Sequence, residues 1–129
     1  MIKGIGTDIA DLKRMANAVE REAFLTRVFT PEEIAYCESK MKGKTASYAG
    51  RFAAKEAIMK ALGTGLREGR LVDIEIVNDE LGAPVASLTG GFAVRAEALG
   101  VKKIWISISH SQEYATAQCV LEGRRKTDV

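Results

Sequence analysis

Five side chains in this 129-residue sequence have types and surroundings suited to chemistry on phosphate: Asp8, Lys55, Glu56, Lys60 and His110. Asp8 and Glu56 are carboxylates set among small or apolar neighbours. Two carboxylates, completed by water and phosphate oxygens, suit Mg²⁺, a hard ion that seldom takes a full protein cage. Lys55 and Lys60 could neutralise phosphate charge. His110, the single histidine, could accept or relay a proton near neutral pH. Together these residues suit metal-assisted phosphoryl or phosphodiester chemistry. Each also has a plainer reading. Asp8 could cap the following helix, although Asp11 could do so equally well. Glu56 and Lys60, at i and i+4, could be a surface ion pair worth roughly a few tenths of a kcal/mol. A lone histidine is more often structural than catalytic.

The elements that must position these residues follow from pattern. Ile2 to Ile9 reads as a strand in which Gly4 and Gly6 leave room for another element to press close. Asp8 then falls near its end. Asp11 to Thr26 reads as one helix, with Leu12, Met15, Ala16, Val19 and Ala23 on one side and Lys13, Arg14 and Arg21 giving basic character. Thr30-Pro31-Glu32-Glu33 is a helix start with a capping box, followed by a short helix to about Ser39. The central helix starts near Thr45 after a basic loop and is stopped by Gly63 and Gly65. On it, Arg51 and Lys55 flank one side of a small, apolar face, and Glu56 and Lys60 the other. That division suits a helix packed on several sides. Leu71 to Val77 and Val85 to Leu88 are strands joined by a turn ending in Gly82-Ala83-Pro84. Thr89 caps a helix from about Gly91 to Leu99. Lys103 to Ser109 and Tyr114 to Leu121 form a last hairpin, with His110 in its turn. The order is β-α-α-α-β-β-α-β-β, an α+β arrangement with a mostly antiparallel sheet packed on a long central helix.

Composition bounds the rest. At 47% hydrophobic and 28% charged residues, the chain can build one real core, expected over residues 1–122, with 123–129 a flexible tail. A net charge of +2 is too small to argue for nucleic acid. No signal peptide and no membrane-spanning run are expected. Cys37 and Cys119 lack motif spacing and read as free thiols of a cytoplasmic protein. Gly4-x-Gly6 lacks the third glycine of a dinucleotide fingerprint, and Gly63-Thr64-Gly65 is no P-loop, although it offers flexible backbone beside Lys60.

At these residues the sequence resembles the holo-acyl-carrier-protein synthases, the short bacterial type of 4′-phosphopantetheinyl transferase. The matching stretches are Gly4-Ile5-Gly6-Thr7-Asp8-Ile9 with Arg14, Phe29 to Glu33, Gly50 to Ala57 with Lys60, Gly63 to Gly65, Gly82 to Pro84, and Ser107 to Ser111. The resemblance implies transfer of 4′-phosphopantetheine from coenzyme A to a serine of an apo-acyl carrier protein, releasing adenosine 3′,5′-bisphosphate. It implies Asp8 and Glu56 as Mg²⁺ ligands, with Lys60 and His110 near the coenzyme A phosphates. Asp8, Glu56, Lys60 and His110 are thus the expected catalytic set. Lys55, Gly63, Gly65, Pro84 and Ser109 join Lys60 and His110 as the expected coenzyme A contacts. It implies a homotrimer with sites at subunit boundaries, working in the cytoplasm in fatty-acid synthesis. Arg14 by the motif, and Arg21, Lys13 and Arg27 by charge, are the expected docking surface for the acidic carrier. The immediate acceptor of the serine proton stays open among a metal-held water, Glu56 and His110. Two other readings also stay open: a Mg²⁺-dependent hydrolase of nucleotide pyrophosphates, and a non-catalytic module binding coenzyme A or an acidic partner.

Overall fold

Strand β1 (Ile2–Asp11) has Gly4, Gly6, Asp8 and Ala10 turned inward and Ile5, Thr7 and Ile9 exposed. The inward glycines lie against helix α4 (Lys44–Leu62). A Cβ on Gly4 would stand 2.1 Å from the carbonyl oxygen of Ala61, and one on Gly6 2.0 Å from that of Ala57. Only hydrogen fits at that separation, so backbone packs on backbone. The structure is a computed structural model describing residues 1–125.

β1 is the edge of a three-stranded antiparallel sheet in the order β1-β5-β4, where β4 is Val101–His110 and β5 is Tyr114–Gly123. β5 runs two residues past the expected Leu121, and the amide of Gly123 donates to the carbonyl of Met1. The part of the expected tail beyond residue 125 lies outside the described residues. β2 (Ile74–Asn78) and β3 (Pro84–Leu88) form a separate two-stranded antiparallel sheet. The expected α+β architecture on a central helix is borne out, with two sheets in place of one.

Helix α4 is covered on several sides, as its divided charge pattern predicts. Tyr48, Ala53, Ala54, Ala57, Ile58 and Leu62 are all buried on it. Gly63 ends it in the left-handed region, at φ 77°. Helix α3 (Pro31–Glu38) begins with the expected capping box: Thr30 Oγ1 accepts from the Glu33 amide and Glu33 Oε1 accepts from the Thr30 amide.

Three expectations change. Asp11 to Thr26 is two helices, α1 (Leu12–Ala18) and α2 (Glu22–Val28). A turn closed by Arg21 N donating to Ala18 O separates them, and each helix buries a residue of its own, Met15 and Val28. No capping side chain marks the break, since Arg21 makes no cap hydrogen bond. Leu71–Asp73 is a 3₁₀ turn, held by the Asp73 carboxylate accepting from the Arg70 amide at 3.0 Å. Thr89 precedes α5 (Gly90–Leu99), but its hydroxyl bonds to the carbonyl of Asp73 and does not cap the helix.

Gly6→Ala is expected to destabilise the fold by about 3 kcal/mol or more, since the new methyl group has backbone in its way. Urea unfolding measures this; a loss under about 1 kcal/mol would contradict the close β1–α4 contact.

Candidate functional site

Three of the expected residues meet where the end of β1 passes α4. Lys60 Nζ donates to Asp8 Oδ1 at 2.8 Å and to the carbonyl of Thr7 at 3.1 Å. Glu56 lies one helical turn before Lys60 and is half-buried. Burial, then the nearby Asp8 charge, holds its carboxyl above the ordinary glutamate value, while Lys60 pulls it back. The hydrogen bond from Lys60 to Asp8 holds the Lys60 ammonium above the usual lysine value. The Asp8–Asp11 ambiguity is resolved: Asp11 Oδ1 accepts from the Arg14 amide at 2.9 Å and caps α1. Asp8 is left for Lys60 and Glu56.

The donor set fits a hard divalent cation. Asp8 lies close enough to Glu56 for its charge to help raise the Glu56 carboxyl, and two carboxylates so placed form an electrostatic preference for a cation between them. No group of three histidine, cysteine or acidic side chains suited to a metal occurs among the described residues. The protein therefore offers part of a shell, and other ligands must complete it.

His110 belongs elsewhere. It is the last residue of β4 and not part of the turn. It lines a cleft of about 450 Å³ with Pro84, Gly82, Asn78, Ser47 and Arg51. Across the sheet Asp8 pairs with Ala117 and Ala117 with Ile108, so His110 is two strands from Asp8, roughly 10 Å to the side. Helix α4 lies between. On it, Glu56 and Lys60 project about 140–180° away from Ser47 and Arg51. One copy of the chain thus carries two separate polar patches, on opposite flanks of one helix.

Arg51, within the Gly50 to Ala57 stretch, lines the same cleft. It is 5% exposed, stacks over the Tyr36 ring at 4.0 Å, and donates to Ser47 Oγ at 3.3 Å and to Asn78 Oδ1. Its Nε has no partner. A buried guanidinium with an unused donor beside a cleft is suited to anions. Its place one turn before Lys55 was legible; its burial and the cleft were not.

Other expected contacts divide. Gly63 and Gly65 take positive φ just after the last turn of α4, beside Lys60. Pro84 lines the His110 cleft. Ser109 pairs with Thr116 and alternates to the sheet face opposite His110, so the chain does not bring it to that cleft. Lys55 is a correction. Its side chain is fully buried, and its ammonium is consumed by Glu33 Oε1 at 2.7 Å and the carbonyls of Val28 and Leu71 at 2.7 and 3.0 Å. With no exposed donor it cannot reach a phosphate.

Arg14 and Arg21 do come together, lining a groove of about 680 Å³ with Ile9, Met15, Phe24 and Phe52. Arg27 lies outside that groove, beside Leu66 and Leu71. No helix among the described residues is long and apolar enough to cross a membrane.

The electrostatics make one expectation measurable. Asp8→Asn removes the charge that helps raise Glu56, so the Glu56 carboxyl should titrate at lower pH in that variant. Carbon-13 NMR of the labelled carboxyl reads this directly; an unmoved titration would mean the two acids do not share a site.

Comparisons with known proteins give the family. Residues 4–119 match the model of the 4′-phosphopantetheinyl transferase superfamily. The chain is 48% identical over 124 residues to the holo-[acyl-carrier-protein] synthase of Clostridium tetani, covering 95% of this chain and 98% of that one. It superposes on the crystal structure of the Neisseria meningitidis holo-[acyl-carrier-protein] synthase with a TM-score of 0.85 at 37% identity, covering 95% and 99% of the two chains. It superposes on the Bacillus anthracis holo-(acyl-carrier-protein) synthase in complex with CoA (3′,5′-ADP) with a TM-score of 0.80 at 39% identity, covering 96% and 99%. The chain belongs to the 4′-phosphopantetheinyl transferase superfamily, among the holo-[acyl-carrier-protein] synthases, and is a transferase.

Proposed function

We propose that the protein transfers the 4′-phosphopantetheine arm of coenzyme A to a serine hydroxyl of an apo-acyl carrier protein, with Mg²⁺, and releases adenosine 3′,5′-bisphosphate. The observation that carries this reading is the meeting of Asp8, Glu56 and Lys60 at one end of α4 in a chain of this family. The reaction breaks the pyrophosphate bond and forms a phosphodiester to serine. Its main obstacle is negative charge on and around the attacked phosphorus. Asp8 and Glu56 would hold the metal, which when bound supplies charge neutralisation at the pyrophosphate. Lys60, half-exposed beside Asp8, binds a phosphate oxygen as a point charge. The serine proton passes to a water held at the metal site, to Glu56 or to His110. His110 and Arg51 line the cleft on the other flank and suit the nucleotide's phosphate and base, with Pro84 as an apolar wall. Arg14 and Arg21 suit an acidic carrier, whose charge favours their groove. The reaction belongs in the cytoplasm, in fatty-acid synthesis, where the buried free thiols Cys37 and Cys119 stay reduced.

One coenzyme A must meet both patches. Their separation across α4 favours a site completed by a second copy, in a homotrimer. The outer face of the three-stranded sheet supports this: Ile5, Val120 and Trp105 form one row across it, with Ile5 69% and Trp105 53% exposed. An exposed apolar row of this kind marks an interaction surface. Trp105→Glu should lower the mass found by sedimentation from trimer to monomer and cut transferase activity at low protein concentration. A trimer that survives unchanged would remove this face from the assembly.

The deciding experiment is the intact mass of an apo-acyl carrier protein after incubation with the protein, coenzyme A and Mg²⁺. A gain of about 340 Da, the arm with its phosphate kept, is expected. It should vanish with EDTA and in Asp8→Ala or Glu56→Ala. Release of free phosphopantetheine without any carrier would favour a hydrolase. No gain with several carriers, despite coenzyme A binding, would favour a non-catalytic module.

A further inference from the structure

Lys55 and Glu56 are neighbours in the sequence, yet only Glu56 faces the reaction. Lys55 is fully buried, and its ammonium has three protons and three acceptors. The Val28 carbonyl closes α2, Glu33 opens α3, and Leu71 lies in the turn before β2. Glu33 is equally committed: Oε1 accepts from the Thr30 amide at 2.9 Å and from Lys55, and Oε2 from the Ile76 amide at 2.8 Å. Thr30 Oγ1 donates onward to Glu75 Oε2 at 2.6 Å. One buried pair therefore joins α4 to α2, α3 and β2. Burial pushes the Lys55 ammonium below the ordinary lysine value, and Glu33 draws it back.

The pair reaches the groove through aromatic rings. Lys55 Nζ lies 5.5 Å from the Phe29 ring centre. Phe29 meets Phe24 edge-on at 6.3 Å, and Phe24 lies 6.3 Å from Phe52. Phe24 and Phe52 line the groove of Arg14 and Arg21, and the Arg21 guanidinium sits 5.9 Å over the Phe24 ring. The ammonium thus holds both the last carbonyl of α2 and the ring behind Phe24. The Phe29 ring also meets Tyr48 at 4.9 Å; Tyr48 donates to Glu38 and does not line the coenzyme A cleft, where Arg51 is supported by Tyr36, Ser47 and Asn78.

We infer that Lys55, anchored by Glu33, is a positioning residue for carrier docking, setting the back wall of the Arg14–Arg21 groove through Phe29 and Phe24. The inference rests on the reading of that groove as the carrier surface.

The test is the double variant Lys55→Met with Glu33→Gln, which removes both buried charges and leaves neither unpaired. Steady-state kinetics are measured below its unfolding temperature. A KM for the apo-carrier raised about tenfold, with the calorimetric Kd for coenzyme A within about twofold of the parent, is expected. A purely stabilising pair would lower the active fraction and hence kcat, but would leave KM for the carrier unchanged; that result overturns the inference, as does equal loss toward both substrates. If the double variant does not fold, Thr30→Ala decides: a rise of about threefold in carrier KM supports the inference and an unchanged KM overturns it. Arg21→Glu separates the two readings. An unchanged carrier KM there overturns the groove reading and this inference with it. A raised KM there, with an unchanged one in the Lys55–Glu33 double variant, overturns this inference alone.

Discussion

The contact of β1 with α4 at Gly4 and Gly6 fixes the rest of the site. Backbone lies against backbone there, with Ala61 and Ala57 as the helix partners. Two residues of strand advance about as far as four residues of helix, so the register of one against the other is set by these two points. Asp8 is the next inward residue of β1, and Lys60 and Glu56 occupy the flank of α4 beside it. A side chain at either glycine would lift the strand from the helix and separate the two acids. The geometry of the proposed metal site is thus a consequence of two missing side chains.

The adjacent motif residues Lys55, Glu56 and Lys60 show how surroundings decide the role of a charge. Lys60 is exposed and bonded to one carboxylate and one carbonyl, contacts that a stronger anion can recruit from. Lys55 has lost its water entirely and regained it as three fixed acceptors. Removing one partner of such a pair leaves a buried charge alone, so the pair is rigid where the Lys60 contact is adjustable. In the proposed reaction the fixed Lys55–Glu33 pair would hold α4 still while the exposed Lys60 ammonium meets a phosphate.

Helix α4 also separates what the proposed reaction would join. Glu56 and Lys60 face one way, Ser47 and Arg51 the other, and the sheet fills the space between with Ile108 against Gly50. A helix cannot bring its opposite faces together. The proposed assembly through the exposed Ile5–Val120–Trp105 row would be the economical route to a complete site and would give that row a purpose.

Much of this was legible in the sequence. The capping box at Thr30 and Glu33, the glycine stop at Gly63, and the alternation of Ile104, Ile106 and Ile108 are local rules, and local rules placed the elements. The strings around Asp8 and Glu56 carried the family because motif residues are few and tightly spaced. The break between α1 and α2 was not legible, since no cap marks it and packing alone makes the turn. Nor was the fate of Lys55: a lysine's charge is written in the sequence, but whether it meets water or Glu33, 22 residues earlier, is settled by burial. The separation of His110 from Asp8 likewise depends on strand order, which places β5 between them. The sequence by itself determined which chemical groups the chain owns and which local elements carry them. Only the tertiary structure decided which of those groups share a surface, because desolvation and distance act between residues far apart in the chain.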